Sequence, residues 1–235
     1  MREVLFIVVI YGINEGDSIA CRSLRKILGE ERYEQDVYVH DNTKNNIFLA
    51  GAYNKAYRYA REMGYRRMVI IDDDTEITKE YVAELQEIAA RNEEKVYVPK
   101  LADKREKRLS PFKTHGRVTA FNSGVVIPIK VMEKVGGFSE NYPLDYSDYW
   151  FFLQLHRRGI EVSEMQSELL HELSINDYEG VTRERYLSLL KAENRFAKEE
   201  GGIYPLLYRM KLLCRAVKWT ITGHRYTKET WRAAI

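Results

Sequence analysis

Apolar runs in the first part of the chain alternate with segments whose apolar side chains recur at helical spacing. The runs predict buried strands, because strands covered on both faces are apolar at every position. These strands span residues 4–10, 36–40, 68–71 and 96–98. Helices are predicted between them, from Asp17 or Ser18 to about Leu28, from Ala52 to Met63, and after Thr78. This alternation is typical of an α/β fold with a wound, mostly parallel sheet flanked by helices.

The second half of the chain begins with a polar, basic stretch over residues 100–117, which predicts a long loop. A further strand is predicted over residues 119–129. Helices are predicted over residues 149–158 and 182–200, and each is followed by a glycine, which favours a helix end.

The charge pattern changes after Pro205, where seven basic residues face a single acid, Glu229. Apolar residues recur there at helical spacing, which predicts a basic amphipathic helix. Its apolar side could lie on a membrane surface, on the core or on a second subunit, and the sequence leaves all three open. We predict a main α/β domain over residues 1–202 and a basic helical tail over residues 203–235. The basic residues are Arg209, Lys211, Arg215, Lys218, Arg225, Lys228 and Arg232.

Composition places the chain among globular proteins and narrows its partners. Its 235 residues suffice for one sizeable α/β core, and a formal net charge of +2 gives no electrostatic argument for binding nucleic acid. Cys21 and Cys214 lie far apart, which indicates neither a disulfide framework nor a zinc site and favours a reducing cytoplasm. We expect no signal peptide, because the apolar N-terminal run is short, and no segment reaches the ~20 apolar residues of a membrane span.

Polar side chains follow several of the predicted strands. Asn14, Asp41 and the triplet Asp72-Asp73-Asp74 each come just after a strand. In wound sheets ligands bind beyond the carboxyl ends of the strands, so the fold is expected to gather these residues at one rim.

Without a positive partner the acidic triplet is energetically unfavourable, because neighbouring carboxylates repel one another and raise each other's pKa. A divalent cation removes that cost, and hard oxygen ligands suit Mg²⁺ or Mn²⁺, with phosphate oxygens completing the coordination. On an extended chain Asp72 and Asp74 project to one side and Asp73 to the other. The alternative is a solvated turn that caps the next helix.

Four segments of the chain follow one another in a recognisable order. They are residues 8–14, residues 39–43 with 51–54, residues 69–75, and residues 122–124 with 136–140 and 145–150. Together they resemble the family 2 glycosyltransferases with the GT-A fold, particularly the bacterial rhamnosyltransferase-like branch. The third segment is similar to the D-x-D element of that family, and the resemblance covers about residues 4–175.

The resemblance implies inverting transfer of a sugar from a nucleotide diphosphate sugar to an acceptor hydroxyl, with Mn²⁺ or Mg²⁺ as cofactor. It implies that Asp148 is the general base and that Asp74 and His171 are metal ligands. Asp41 is expected to contact the nucleotide base, and Asp72 the ribose or sugar. The predicted donor-binding set is Tyr11, Asn14, Asp41, Asn54, Asp72, Asp73, Ser123 and Gly124.

The chemistry agrees with these roles, since displacement needs a base on the acceptor side and charge stabilisation on the leaving-group side. Two positions depart from the family pattern. Trp150 stands where an acidic residue often follows the base, and Gln154 stands in place of an arginine. Acceptor binding is therefore expected to differ from that of a typical member.

Each singled-out residue also has a structural interpretation that the sequence leaves open. Asp41 could simply end a strand, Asp148 could cap a helix, and His171 could be a buried core histidine. The Ser123-Gly124 pair could be a plain bend that allows close backbone approach.

Two other functions compete with sugar transfer. A sugar nucleotidyltransferase would need a glycine-rich phosphate loop with a basic residue, which residues 11–16 lack. A non-catalytic nucleotide-sugar-binding or scaffold protein would not need the triplet together with Asp148. We therefore expect a glycosyltransferase of cell-surface polysaccharide synthesis with a saccharide or lipid-linked acceptor. We expect it in the cytoplasm, with the inner membrane surface and a homo-oligomer left open.

Overall fold

The N-terminal part of the chain folds around one mixed β-sheet. The computed structural model describes residues 2–103, 107–171 and 181–235. The strands of this described part are β1 (Arg2–Ile10), β2 (Val37–Asp41), β3 (Tyr65–Asp72), β4 (Val96–Ala102), β5 (Arg108–Ser110), β6 (Phe112–Thr114), β7 (Arg117–Thr119), β8 (Val125–Pro128) and β9 (Val162–Leu170). The helices are α1 (Ile19–Leu28), α2 (Glu30–Asp36), α3 (Phe48–Glu62), α4 (Lys79–Ala90), α5 (Ile129–Val135), α6 (Ser147–Arg157), α7 (Arg183–Glu200), α8 (Tyr204–Thr222) and α9 (Thr227–Ala234).

The main sheet has the strand order β2-β1-β3-β8-β4-β5, and β9 also pairs with β4. Strands β1, β2, β3, β4 and β9 run in one direction, whereas β8 and β5 run in the opposite direction. The predicted α/β fold with a mostly parallel sheet is therefore confirmed. The antiparallel strand β8 lies between β3 and β4, which the local apolar pattern did not predict.

The central strands carry unbroken apolar runs, residues 4–10 in β1 and 68–71 in β3, because helices cover both faces of the sheet there. Side chains of β1 alternate between two separate buried clusters, as the two-residue period of a strand requires. The same alternation holds for β3, where Met68 and Ile70 face one cluster and Val69 and Ile71 the other. In β1 the two sets are Leu5, Ile7 and Val9, and Phe6, Val8 and Ile10.

The strand predicted over residues 119–129 is wrong as a single element. β7 ends at Thr119, β8 begins at Val125, and α5 begins at Ile129. Gly124 has a φ of 76° and Val125 N donates to the carbonyl of Asn122, so a turn interrupts the extended chain. The sequence alone shows one apolar stretch here, because nothing local marks the left-handed conformation of Gly124.

The long loop predicted over residues 100–117 is also corrected. β4 extends to Ala102, β5 pairs with it, and β6 and β7 form a hairpin. His115 and Gly116, with φ angles of 50° and 81°, form the two-residue turn of this hairpin, since both central residues of a type I′ turn have positive φ. A His-Gly pair is an uncommon turn sequence, and the strands are short, which explains why the hairpin was missed.

The chain divides into two compact units, Met1–Leu173 and Ser174–Ile235. In the second unit α7, α8 and α9 share one apolar cluster, and Glu193 on α7 forms an ion pair of 3.1 Å with Arg215 on α8. We predict a domain boundary at residue 202 from the change in charge along the chain, whereas the two compact units are defined by the contacts within each of them. The boundary at residue 202 therefore stays a prediction. Within the described residues no helix is both long and apolar enough to cross a membrane.

Candidate active site

The end of β3 and the end of β9 meet at one rim of the sheet. After Asp72 the chain turns, with Thr75 N donating to the carbonyl of Asp72 at 3.1 Å. Glu76 then forms an isolated antiparallel bridge with Leu170, its N donating to the Leu170 carbonyl at 3.1 Å. This bridge brings His171, the residue after β9, beside the acidic triplet.

Asp72, Asp74 and His171 form a cluster in which one ligand atom from each residue lies within 4.8 Å of the others. The distance from His171 Nδ1 to Asp74 Oδ1 is 3.2 Å, and that from His171 Nε2 to Asp72 Oδ2 is 3.9 Å. Asp74 Oδ1 is buried, and it accepts no hydrogen bond from the described chain. Two carboxylates, an imidazole and a buried acceptor without a donor fit a divalent cation such as Mn²⁺ or Mg²⁺.

The electrostatics of the cluster also favour a cation. The pKa of Asp72 is raised to about 6, chiefly by burial, with His171 opposing the shift and the charges of Asp74 and Asp73 contributing to it. Burial, followed by the charge of Asp74, raises the pKa of Asp73. Burial lowers the pKa of His171, but the facing carboxylates outweigh that effect and leave it raised. Negative charge is therefore concentrated here beyond what His171 neutralises.

A chain of buried hydroxyl groups supports His171 from behind. Asp72 N donates to Ser123 Oγ at 3.0 Å, Ser123 Oγ lies 2.7 Å from Thr75 Oγ1, and Thr75 Oγ1 lies 2.8 Å from His171 Nδ1. Thr75 and Ser123 are fully buried. Whichever of Thr75 Oγ1 and His171 Nδ1 donates, this contact fixes the orientation of the imidazole beside the carboxylates. Sequence reasoning missed Thr75, because a threonine after a triplet gives no signal of its own.

The backbone of the triplet anchors the first helix. The carbonyl of Asp73 accepts from Ser18 Oγ at 2.9 Å and from Ala20 N at 3.1 Å, while Ser18 Oγ caps α1 by accepting from Cys21 N. The side chain of Asp73 lies outside the cation cluster. The alternative that the triplet caps the next helix is wrong, because Thr78 caps α4.

Asp148 lies in the first turn of α6, which begins at Ser147 and has Tyr146 at its N-cap, so Asp148 does not occupy the cap position. Its Oδ1 accepts from Tyr149 N at 2.8 Å. Burial raises the pKa of Asp148 to about 7, and the charges of Asp72 and Asp145 add to the effect. That the charge of Asp72 affects the pKa of Asp148 indicates that the carboxylate on α6 lies near the triplet.

Asp41 lies on the far side of β1 from the triplet. The register of β1 places Ile10 opposite Asp41 on one side and Val9 opposite Asp72 on the other. Hydrogen bonds from Thr43 lower the pKa of Asp41 and fix its carboxylate, with Thr43 N at 2.7 Å from Oδ1. The neighbouring Tyr11 is 65% exposed, so both side chains are open to a ligand at this rim.

Three other predicted site residues have clear structural contacts. Asn14 donates from Nδ2 to Asp17 at the surface. Both polar atoms of Asn54 are bonded to the backbone of Phe138, each at 2.8 Å. Gly124 supports the close-approach interpretation, because a Cβ there would lie 2.6 Å from Pro99 Cγ. Their donor contacts stay predictions.

The family model described as "Glycosyl transferase family 2" matches residues 20–153. No curated protein sequence matches the chain. Among solved structures, the catalytic domain of Drosophila β1,4-galactosyltransferase 7 with xylobiose is 12% identical, with a TM-score of 0.53, covering 80% of this chain and 79% of that one. GalNAc-T7 with UDP, GalNAc and Mn²⁺ is 13% identical, with a TM-score of 0.54, covering 95% of this chain and 57% of that one. TarS from S. aureus is 14% identical, with a TM-score of 0.55, covering 85% of this chain and 39% of that one. These likenesses confirm the predicted GT-A fold.

Proposed function

Because the chain belongs to glycosyl transferase family 2, we propose that it transfers a sugar from a nucleotide diphosphate sugar to an acceptor hydroxyl, with inversion at the sugar carbon. The observation that carries this proposal is the cluster of Asp72, Asp74 and His171 at the ends of β3 and β9. It offers the ligands for a cation at the rim where a wound sheet binds its ligands.

In this proposal the donor diphosphate lies against the cluster. Asp72, Asp74 and His171 hold a Mn²⁺ or Mg²⁺ ion, which supplies positive charge for the leaving diphosphate. Tyr11, Asn14 and Asp41 bind the nucleoside end, Asp73 completes the donor site, and Ser123 supports it from behind by accepting from Asp72 N. GalNAc-T7 was solved with UDP and Mn²⁺, which supports this arrangement by fold likeness.

Asp148 serves as the general base in the proposed reaction. Its carboxylate takes the proton of the acceptor hydroxyl as the oxygen attacks the sugar carbon, and the bond from that carbon to the diphosphate breaks. A pKa near neutrality suits a base, because a substantial fraction of the group is ionised at neutral pH and the carboxylate still holds a proton well. The galactosyltransferase neighbour was solved with xylobiose, which supports a saccharide acceptor.

The finer assignments follow the sequence resemblance. We propose a hexosyltransferase or deoxyhexosyltransferase of the rhamnosyltransferase-like branch, acting in cell-surface polysaccharide synthesis in the cytoplasm. The acceptor is a saccharide or a lipid-linked saccharide. The competing proposal, a nucleotide-sugar-binding protein without turnover, differs from ours in one observable. It predicts metal-dependent nucleotide binding with no transfer to any acceptor.

The proposed donor site is tested by thermal unfolding with a panel of nucleoside diphosphates, with and without Mn²⁺. At least one uridine, deoxythymidine or guanosine diphosphate is expected to raise the melting temperature only when the metal is present. A ligand at 100 times its Kd adds about 2.7 kcal/mol, which corresponds to roughly 5–10 °C for a chain of this size. The proposal would be contradicted if every diphosphate stabilised the protein without the metal, or if no diphosphate stabilised it at all.

Thr75 is expected to set the affinity for the cation through His171. Thr75→Val keeps the shape of the side chain but removes the hydroxyl 2.8 Å from His171 Nδ1, so the ring loses the contact that orients it. Loss of such a supporting contact weakens metal binding roughly 10–100-fold. Titration of Mn²⁺ followed by electron paramagnetic resonance measures this without any turnover.

Thr75→Ser serves as the matched control, because it keeps the hydroxyl and should bind Mn²⁺ nearly as the unaltered protein does. If Thr75→Val bound Mn²⁺ normally while His171→Ala did not, Thr75 would have no positioning role. If neither substitution changed Mn²⁺ binding, the cation site itself would be wrongly assigned.

A further inference from the structure

Helix α8 has two apolar faces, and only one of them packs within its own unit. Tyr208, Leu212, Ala216 and Trp219 are buried against α7 and α9. On the opposite side a second stripe recurs every three or four residues and is exposed to solvent. This stripe, which we term the outer face of α8, consists of Leu206 (58% exposed), Met210 (54%), Leu213 (39%), Val217 (48%) and Ile221 (81%).

The outer face is continuous along the whole of α8. A shallow groove near its C-terminal end is lined by Leu213, Val217 and Ile221, together with the stem of Lys218. Contiguous apolar surface of this kind is rare on the free face of a water-soluble protein and marks an interaction site. A helix in contact only with water would not be expected to carry these apolar residues. Ile221 in particular, at 81% exposed, has no packing role in its own unit.

Positive charge borders the outer face on both sides. Arg209 lies at one edge and Lys211 and Lys218 at the other, as their positions on a 3.6-residue period require. All three are exposed; Lys211 Nζ lies 3.9 Å from Glu193 Oε1, whereas among the described residues no acid pairs with Arg209 or Lys218. The one acid after Pro205, Glu229, is held by Arg183 at 2.7 Å. An apolar stripe with basic borders fits a partner that is apolar inside and negative at its surface.

We propose that the outer face of α8 lies on an anionic lipid surface, with its apolar side chains among the acyl chains and its basic side chains at the headgroups. A second copy of the chain fits less well, because two such faces brought together would oppose basic borders of like charge. An acidic protein fits less well, because the centre of the face offers five exposed apolar side chains in a row. This inference is independent of the transfer chemistry, because binding to lipid requires neither donor nor cation.

Cosedimentation of the full chain with vesicles tests the proposal. Vesicles of phosphatidylcholine with phosphatidylglycerol are expected to bind the chain, vesicles of phosphatidylcholine alone to bind it much less, and added salt to weaken the binding. Val217→Gln with Ile221→Gln should lower the partition about tenfold or more, since two exposed apolar side chains no longer enter the lipid. Arg209→Gln with Lys218→Gln should remove the preference for anionic lipid.

Met63→Gln and Lys26→Gln provide controls of the same chemistry at exposed positions outside the tail, and both should bind vesicles as the unaltered chain does. Melting temperatures verify that the outer-face variants remain folded. The proposal is overturned if the unaltered chain ignores anionic vesicles or if the variants bind them equally. Light scattering provides a further check. If the unaltered chain formed a dimer and bound no vesicles, and if the variant with Val217→Gln and Ile221→Gln were a monomer, this face would be a contact between copies of the chain.

Discussion

Asp74→Ala is expected to abolish the metal-dependent stabilisation of the protein by a nucleoside diphosphate. Asp74 provides one of three ligand atoms in the cluster, and its Oδ1 is a buried acceptor with no donor of its own. Loss of a contact that supports a ligand weakens metal binding by up to roughly 100-fold. Loss of the ligand itself should weaken it at least as much. Thermal unfolding with Mn²⁺ and the best diphosphate of the panel measures the effect.

Glu76→Ala is the matched control for this substitution, because Glu76 is an exposed acid in the same turn that lies outside the cluster. It should keep the full stabilisation. The metal-free Asp74→Ala protein should unfold close to the melting temperature of the unaltered metal-free protein, since the substitution removes both the repulsion from Asp72 and the contact with His171. If Asp74→Ala left both metal-dependent binding and transfer intact, the cation would be held elsewhere.

Asp148→Asn is expected to bind the donor normally and to lose transfer by about 10²–10⁴-fold, the usual contribution of a general base. The amide keeps an oxygen for the N–H of Tyr149, so the first turn of α6 should be undisturbed. Donor binding is measured by thermal unfolding with Mn²⁺, and transfer by release of the nucleoside diphosphate in the presence of acceptor. Glu140→Gln, an exposed acid before α6, is the control.

The pH dependence of the unaltered enzyme adds a second measurement to the same substitution. Below its pKa the Asp148 carboxyl is neutral and cannot take a proton, so kcat/KM should rise with pH through an apparent pKa at or below about 7. A cation beside Asp72 offsets the negative charge that raises the pKa of Asp148, which places the value on the low side. The residual rate of Asp148→Asn should lack this rise. An active Asp148→Asn enzyme with an unchanged profile would move the base to another residue.

Local sequence patterns predicted the structure correctly where it depends only on one helix or strand and on the two elements next to it. The apolar runs of β1 and β3 required burial on both faces, and the acids directly after β3 then had to lie at the rim of the sheet. The cap at Thr78 was likewise predicted, and the structure decides for Ser18 over Asp17 at α1, because the hydroxyl of each accepts from the amide three residues further on. The family resemblance added order and spacing to these local signals.

β9 illustrates a failure of the same approach. Its buried positions, Met165, Ser167 and Leu169, alternate with exposed positions, of which the last, Leu170, is apolar, and the small polar Ser167 interrupts the buried apolar series. The strand was therefore missed, although it is the element that delivers His171. Only pairing with β4 and the bridge from Leu170 to Glu76 make its position clear.

What the sequence determined by itself is the class of fold, the rim of the sheet where we propose that the donor binds and the acids that lie there, because each depends on the period and ends of one element. The tertiary structure decided which distant groups meet. Thr75 and His171 are 96 positions apart and Asn54 and Phe138 are 84 apart, and no local period connects them. It also decided which apolar face of α8 is packed, since both faces read alike until α7 and α9 cover one of them.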